Sequence, residues 1–332
     1  MLDATGLSFL IPSFNPPKAE FCKLLKSLES FQSIIDFEVV VLDDSTDGFS
    51  LDSLLEEMDP LFSKTKVIYR KCERISLAEK RLRLLREVHY KYFTFLDCDD
   101  EILPTDFKKF LTLMDEKALD LLEFPILRNT NGRIEKSAPL SANEDLTSYA
   151  VRLCSTNSTN SLCSKIYAKS VIERSEGLLN KLPRIGLGED KALNLAFLPA
   201  VRGYLYCPHP YYVYKIYESS TSRTRQLGKR CNDTILAYQF YSLVSNSCPS
   251  LFPKQNLAWM CKQDFASLIL SVSPKLSVFR PDCLKQLKRC DDELSMVCPG
   301  FWGGSKKLSL SRKAKFYLSL VREAYTLLPR KK

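Results

Sequence analysis

The chain has 332 residues, 45% of them hydrophobic and 26% charged, with a formal net charge of +9, a mixture that excludes a mostly disordered protein. Between residues 306 and 332 nine Lys and Arg face one acid, Glu323, so that stretch carries +8 and the rest of the chain about +1. A nucleic-acid face spread over the body is therefore excluded, and the basic tail invites an anionic surface instead.

No run approaches the ~18 apolar residues of a membrane span, and MLDATGLSFLIPSFN has neither a basic leader nor a small-residue cleavage site. A cytoplasmic protein is expected. The twelve cysteines are scattered with no CxxC pair, which reads as reduced, mostly buried thiols. The histidines, His89 and His209, lie near no cysteine pair, so zinc is not expected.

In chain order, LSFLIP (Leu7–Pro12) is a short apolar run, as in a strand covered on both faces. Phe21, Leu24, Leu25, Leu28 and Phe31 repeat at three and four after Pro16-Pro17, which predicts an amphipathic helix. FEVVVLDD (Phe37–Asp44) and KVIYR (Lys66–Arg70) are the next strands. Ser76-Leu-Ala-Glu79 is a capping box opening a helix continued by Leu82, Leu85 and Val88, and YFTFLD (Tyr92–Asp97) is a fourth strand. Strand and helix alternating in this way imply right-handed crossovers and a mostly parallel sheet. Tyr211, Tyr212 and Tyr214 alternate at strand spacing and read as sheet packing, while Asn232–Val244 and Leu257–Leu270 carry helical periodicity.

Three of the strands end in polar turns: Pro12-Ser13-Phe14-Asn15, Asp43-Asp44-Ser45-Thr46-Asp47-Gly48 and Asp97-Cys98-Asp99-Asp100. In a parallel sheet such turns share the carboxyl edge, where ligands gather. Asp97, Asp99 and Asp100 repel one another, so either a cation neutralises them or they lie open to water as a helix cap. Neither GxGxxG nor GxxxxGK[ST] follows any strand, which weakens the dehydrogenase and P-loop readings. A diphosphate held without such a loop needs a divalent cation, and two carboxylates two apart in a tight turn can both face one.

Together these segments resemble the family 2 glycosyltransferases, nucleotide-sugar-dependent enzymes with the GT-A fold. LSFLIPSFNPP looks like the opening strand and its turn, FEVVVLDDSTDG like the second strand, and YFTFLDCDDEILP like the metal-binding strand end. Downstream, LCSKIYAKSVIE (Leu162–Glu173) resembles the acceptor-side segment. GLGEDKALNLAF (Gly186–Phe197) resembles the Glu-Asp helix start, and HPYYVYKIYESSTSRT (His209–Thr224) the segment after it. The resemblance covers residues 7–224.

The resemblance implies an α/β GT-A (Rossmann-like) fold, a mostly parallel sheet with helices on both faces, plus a helical C-terminal extension. It implies that Pro12, Phe14, Asn15 and Asp44 hold the nucleotide base, uracil first. Asp97 contacts ribose or metal, Asp99 is the principal ligand of Mn²⁺ or Mg²⁺, and Asp190 is the general base that deprotonates an acceptor hydroxyl. That base must lie across the sugar from the leaving diphosphate, which accounts for two acidic motifs far apart in the chain. Glu79 replaces the family's usual Arg in Ser-x-Ala-Arg-Asn, leaving Lys80 or Arg81 for the phosphate or ribose contact, and the second turn lacks the common Gly after Asp44. Lys165 is either a surface lysine or a contact for acceptor or phosphate. Arg223 or Lys215 could close over the diphosphate, or lie in a plain polar linker.

The expected organisation is a GT-A domain over 1–225, a helical region over 226–304 and a basic amphipathic tail over 305–332. The expected function is inverting, metal-dependent transfer from a nucleotide-sugar to a glycan or lipid-linked acceptor in bacterial surface polysaccharide assembly. The tail either lies on the anionic inner face of the membrane or packs on the body. The rival readings are a sugar nucleotidyltransferase of related fold and an inactive sugar-nucleotide-binding module.

Overall fold

The computed structural model describes residues 6–31, 34–46, 66–103, 105–137, 144–154, 160–216, 227–272 and 281–298. The chain divides into two compact units, Met1–Leu153 with Thr159–Ser220, and Cys154–Ser158 with Thr221–Lys332. The boundaries expected at 225 and 304 fall outside the described residues.

The first unit is built on a seven-stranded sheet in the order β10-β6-β9-β4-β1-β2-β3. Strands β1 (Leu7–Ser13), β2 (Phe37–Asp43), β3 (Lys66–Lys71) and β4 (Tyr92–Phe95) run parallel. Every residue of β1, β2 and β4 is buried, which is why these strands read as continuous apolar runs rather than alternating ones. Helices α1 (Lys18–Glu29) and α2 (Leu77–Leu85) follow β1 and β3. The predicted α1 stripe of Phe21, Leu24, Leu25 and Leu28 is fully buried, each side chain contributing about 1.5–3 kcal/mol. Ser76 caps α2 by accepting the Glu79 amide at 3.2 Å.

Past β4 the sheet changes character. Strand β9 (Lys165–Ala168) runs antiparallel between β4 and β6 (Leu121–Glu123), and β10 (Tyr204–Tyr206) runs parallel to β6. Because β9 is reversed, its first residue lies at the same edge as the last residues of β4 and β6. A second, four-stranded sheet has the order β5-β11-β7-β8, with β5 (Glu101–Ile102), β7 (Ile126–Thr130), β8 (Arg133–Lys136) and β11 (Tyr212–Ile216). The β7–β8 hairpin turns on Asn131 and Gly132, both at positive φ (52° and 87°), the conformation an Asn-Gly pair adopts readily.

Helices α3 (Phe107–Glu116), α4 (Leu146–Leu153), α5 (Ser170–Leu179) and α6 (Glu189–Phe197) complete this unit. Phe107 of α3 meets Phe9 edge-on at 5.7 Å and Phe31 at 4.7 Å, while Phe93 stacks on Tyr167 at 5.2 Å. Core aromatics thus hold the sheet beneath the functional edge.

The second unit is the expected helical extension: α7 (Leu227–Ser247), α8 (Lys254–Val272) and α9 (Pro281–Val297). Tyr241, Val244, Met260, Phe265, Leu287 and Leu294 supply its buried core, and Tyr238 donates to Asp264 at 2.7 Å. No helix among the described residues is long and apolar enough to cross a membrane. The tail 305–332 lies outside the described residues.

Candidate active site

Strands β1 and β2 pair Ser13 with Asp43, so the turns that follow them lie side by side. Asn15, in the left-handed region at φ 43°, donates its amide to Ser45 Oγ at 2.6 Å, and Ser45 donates to Asp43 Oδ1 at 2.6 Å. Asp44 is buried with both oxygens engaged. Lys80 binds Oδ1, while Arg74 Nη1 (3.0 Å) and the Ile75 amide (3.2 Å) bind Oδ2. Lys80 also donates to the Ser13 carbonyl at 2.6 Å, and the Arg74 guanidinium lies 3.3 Å from the centre of the Phe14 ring. Burial lowers the Lys80 pKa despite the opposing pull of Asp44. Pro12 is buried within β1 and Asn15 is exposed. Phe14, Asp44, Arg74 and Lys80 therefore form one block whose charges are matched.

The turn after β4 is built differently. Asp100 is buried and pinned to β11, accepting from the Tyr212 hydroxyl and from the Lys215 amide at 2.8 Å. Asp97 and Asp99 are partly exposed. Burial raises the pKa of Asp99 and Asp100, and the charge of Asp97 raises both further. Between them the Cys98 thiol is pushed up by burial and then by Asp99 and Asp97, and the Phe14 backbone bonds to it. The cysteine thus sits at the joint between the first and third turns.

Arg81 connects this turn to α6. It is buried, donates Nη2 to Asp97 Oδ1 at 3.1 Å, and sets Nη1 against Asp190 Oδ1 with Glu189 Oε1 at 3.7 Å. Burial opposes its charge, but Asp97 and Glu189 outweigh that and its pKa is raised. Helix α6 begins at Gly188, whose φ of 82° suits a residue without a Cβ. That turn sets Glu189 and Asp190 in the first turn, where the helix dipole favours acids. Asn194 then fixes the turn: it donates to the Asp190 carbonyl at 2.8 Å and to the Asn160 carbonyl at 2.7 Å, and accepts from the hydroxyls of Tyr149 (2.8 Å) and Tyr167 (2.9 Å).

Of the residues expected at the site, Phe14, Asn15, Asp44 and Lys80 converge on one part of this edge, and Asp97, Asp99 and Asp190 on another. Lys165 is placed elsewhere. It is neither a surface lysine nor open to a ligand: it is fully buried, donates to the Ser161 carbonyl at 2.6 Å and lies 3.9 Å from Glu123. Glu123 also binds Arg152 (2.7 Å) and the Tyr204 hydroxyl (2.6 Å), so this is a paired polar cluster under the sheet edge. Burial lowers the Lys165 pKa to about 8. Lys215 is tied to Glu20 at 2.6 Å and Glu101 at 3.5 Å, and Arg223 lies outside the described residues.

Sequence reading named Arg81 only as a substitute for a lost arginine, and it predicted Leu82 on the buried stripe of α2. The buried residues are Ala78, Lys80, Arg81, Leu84 and Leu85. Arginine at apolar spacing within an amphipathic helix was the available signal. Tyr212, read as packing, is also the donor to Asp100.

The residues present fit a divalent cation in one respect: burial and then the neighbouring Asp97 make ionised Asp99 costly, and a cation between the two would relieve that cost. Among the described residues no group of three or more His, Cys, Asp or Glu surrounds one point. Asp97 and Asp99 would therefore hold such an ion together with substrate oxygens and water.

The family model described as glycosyl transferase family 2 matches residues 8–172, spanning the matched-charge block, the Asp97–Asp100 turn and Lys165. The chain is a family 2 glycosyltransferase with the GT-A fold. A search of curated proteins gave no match. Among solved structures it resembles Staphylococcus aureus TarS 1–349 at 19% identity and a TM-score of 0.61, covering 97% of this chain and 91% of that one. The complex of TarS 1–349 with UDP gives 20% identity, a TM-score of 0.61 and the same coverage. The complex with UDP-GlcNAc gives 18% identity and a TM-score of 0.54, over 90% of this chain and 92% of that one.

Proposed function

We propose that this enzyme transfers a sugar from a nucleoside diphosphate, a UDP-sugar first, to a hydroxyl of a glycan or lipid-linked acceptor, inverting the anomeric carbon. The observation that carries this reading is the placing of the matched-charge block, the Asp97–Asp99 pair and Asp190 along one sheet edge. The UDP and UDP-GlcNAc complexes of TarS 1–349, a protein of the same fold, support a uridine nucleotide.

In this reading Phe14 and Asn15 flank the base, and Asp44 acts on it through the Arg74 and Lys80 side chains that it fixes. Asp97 and Asp99 would hold Mn²⁺ or Mg²⁺, which when bound offsets the charge of the diphosphate leaving group. Asp190 takes the proton of the acceptor hydroxyl as that oxygen attacks the anomeric carbon from the face opposite the diphosphate. The bond to the diphosphate breaks as the new glycosidic bond forms. The tail 306–332, with its nine cations and one acid, brings the enzyme to an anionic membrane surface where a lipid-linked acceptor resides. Bacterial surface polysaccharide assembly is the process this suits.

The test is release of nucleoside diphosphate from a panel of nucleotide-sugars with Mn²⁺ and glycan acceptors. Asp190→Asn should lose about 10²–10⁴-fold in kcat, and Asp99→Ala should lose metal-dependent turnover. An Asp99→Ala enzyme as active as the parent would sink the metal assignment. Unchanged transfer by Asp190→Asn would place the base elsewhere.

A further inference from the structure

We infer that Arg81 is a positioning residue that sets the separation between the donor-side carboxylate Asp97 and the base Asp190. This deepens the reading above and rests on its assignment of Asp190. A phosphate-binding arginine presents its guanidinium to the cleft, whereas Arg81 is 1% exposed and turned onto carboxylates. Its two terminal nitrogens divide the work: Nη2 reaches Asp97 Oδ1 at 3.1 Å, and Nη1 meets Asp190 Oδ1 with Glu189 Oε1 at 3.7 Å. A guanidinium is planar and its nitrogens are fixed relative to one another, so carboxylates bound to one fork are held at one spacing.

The mount is rigid on both sides. Helix α2, which carries Arg81, is tied to the loop before α6 by the Ala78 amide and the Ile185 carbonyl at 3.2 Å. Asn194 anchors the first turn of α6 through the Asp190 carbonyl at 2.8 Å. The two carboxylates come from segments with no local reason to keep register, and the arginine between them supplies one. A lysine at this position keeps the charge but has a single nitrogen and cannot engage both acids with the same geometry.

The experiment uses Arg81→Lys and Arg81→Gln in the full chain, with folding followed by a melting curve and donor-site integrity by calorimetry with UDP in the absence of metal. Both variants should lose about 100-fold in kcat, the scale of an ångström-sized misplacement. UDP affinity measured without metal should stay within about threefold, since Arg81 reaches the donor side only through Asp97. In an Asp190→Asn background, Arg81→Gln should cost less than about threefold more, because the two side chains act as a unit. A tenfold or larger loss of UDP affinity would make Arg81 a diphosphate ligand and overturn the inference. So would full additivity with Asp190→Asn, unchanged kcat, or loss of the melting transition in both variants, which assigns Arg81 to the scaffold. Unchanged transfer by Asp190→Asn alone is the distinct signature that the underlying base assignment has failed.

Discussion

The turn after β2 and the turn after β4 are both aspartate-rich and stand on one sheet edge, yet they solve opposite electrostatic problems. Asp44 is enclosed and answered by Lys80, Arg74 and the Ile75 amide. Asp97 and Asp99 are crowded, and Arg81 is shared between Asp97 and the acids of α6. Where opposite charges match, burial is tolerable; where they do not, the carboxylate pKa climbs, as it does for Asp99 and Asp100. A matched turn is scaffold for a neutral ligand part such as a base. In the proposed reading an unmatched one would seat a cation.

The largest effect expected from breaking this contrast is at the matched turn. Lys80→Met leaves Asp44 buried with the Ile75 amide and the partly exposed Arg74, and equilibrium denaturation should show a loss of about 3–5 kcal/mol. Next comes Tyr212→Phe, which removes the hydroxyl that Asp100 accepts. Where Asp100 is ionised, above its raised pKa, a hydrogen bond to it is worth about 1.5–3 kcal/mol, and the same denaturation experiment run there reads it.

Asp99→Asn should do the reverse. Removing one of the repelling charges should stabilise the metal-free protein by about 1 kcal/mol, while abolishing the rise in melting temperature on adding Mn²⁺ and UDP. The pH dependence follows in sign. Asp99 and Asp100 hold protons in the folded state that the unfolded chain has already released, so metal-free stability falls as pH rises from the ordinary carboxylate range through their raised values. That fall should be shallower in Asp99→Asn. The smallest effect is Arg74→Ala, whose side chain is 54% exposed; it should cost about 1 kcal/mol or less in stability.

Much of the first unit was legible because its signals are local. The covered strands Leu7–Ser13 and Phe37–Asp43 announce themselves as unbroken apolar runs, and α1 by its spacing of three and four. Strands β6 and β10, of three residues each, carry too little pattern to be seen. The β7–β8 hairpin did carry a signal in Asn131-Gly132 and was passed over. The reversal of β9 left no local trace, since an antiparallel insertion is decided by which neighbours remain unpaired. Lys165 was misplaced for the same reason: in the chain it follows the mixed stretch Leu162-Cys163-Ser164, and only the pairing of Glu123 with Lys165 across β6 and β9 shows it buried.

By itself the sequence determined the order of the crossover units, and with it the edge on which the turns of β1, β2 and β4 must meet, because parallel strands with short exits leave no other choice. It also determined the family, through motifs kept in order. Only the tertiary structure decided which carboxylates are answered and by what. That Arg81 turns inward to Asp97 and Asp190, that Asp100 belongs to Tyr212, and that Lys165 belongs to Glu123 are outcomes of packing between segments distant in the chain. Charge pairing depends on distance and burial, which a linear pattern does not encode.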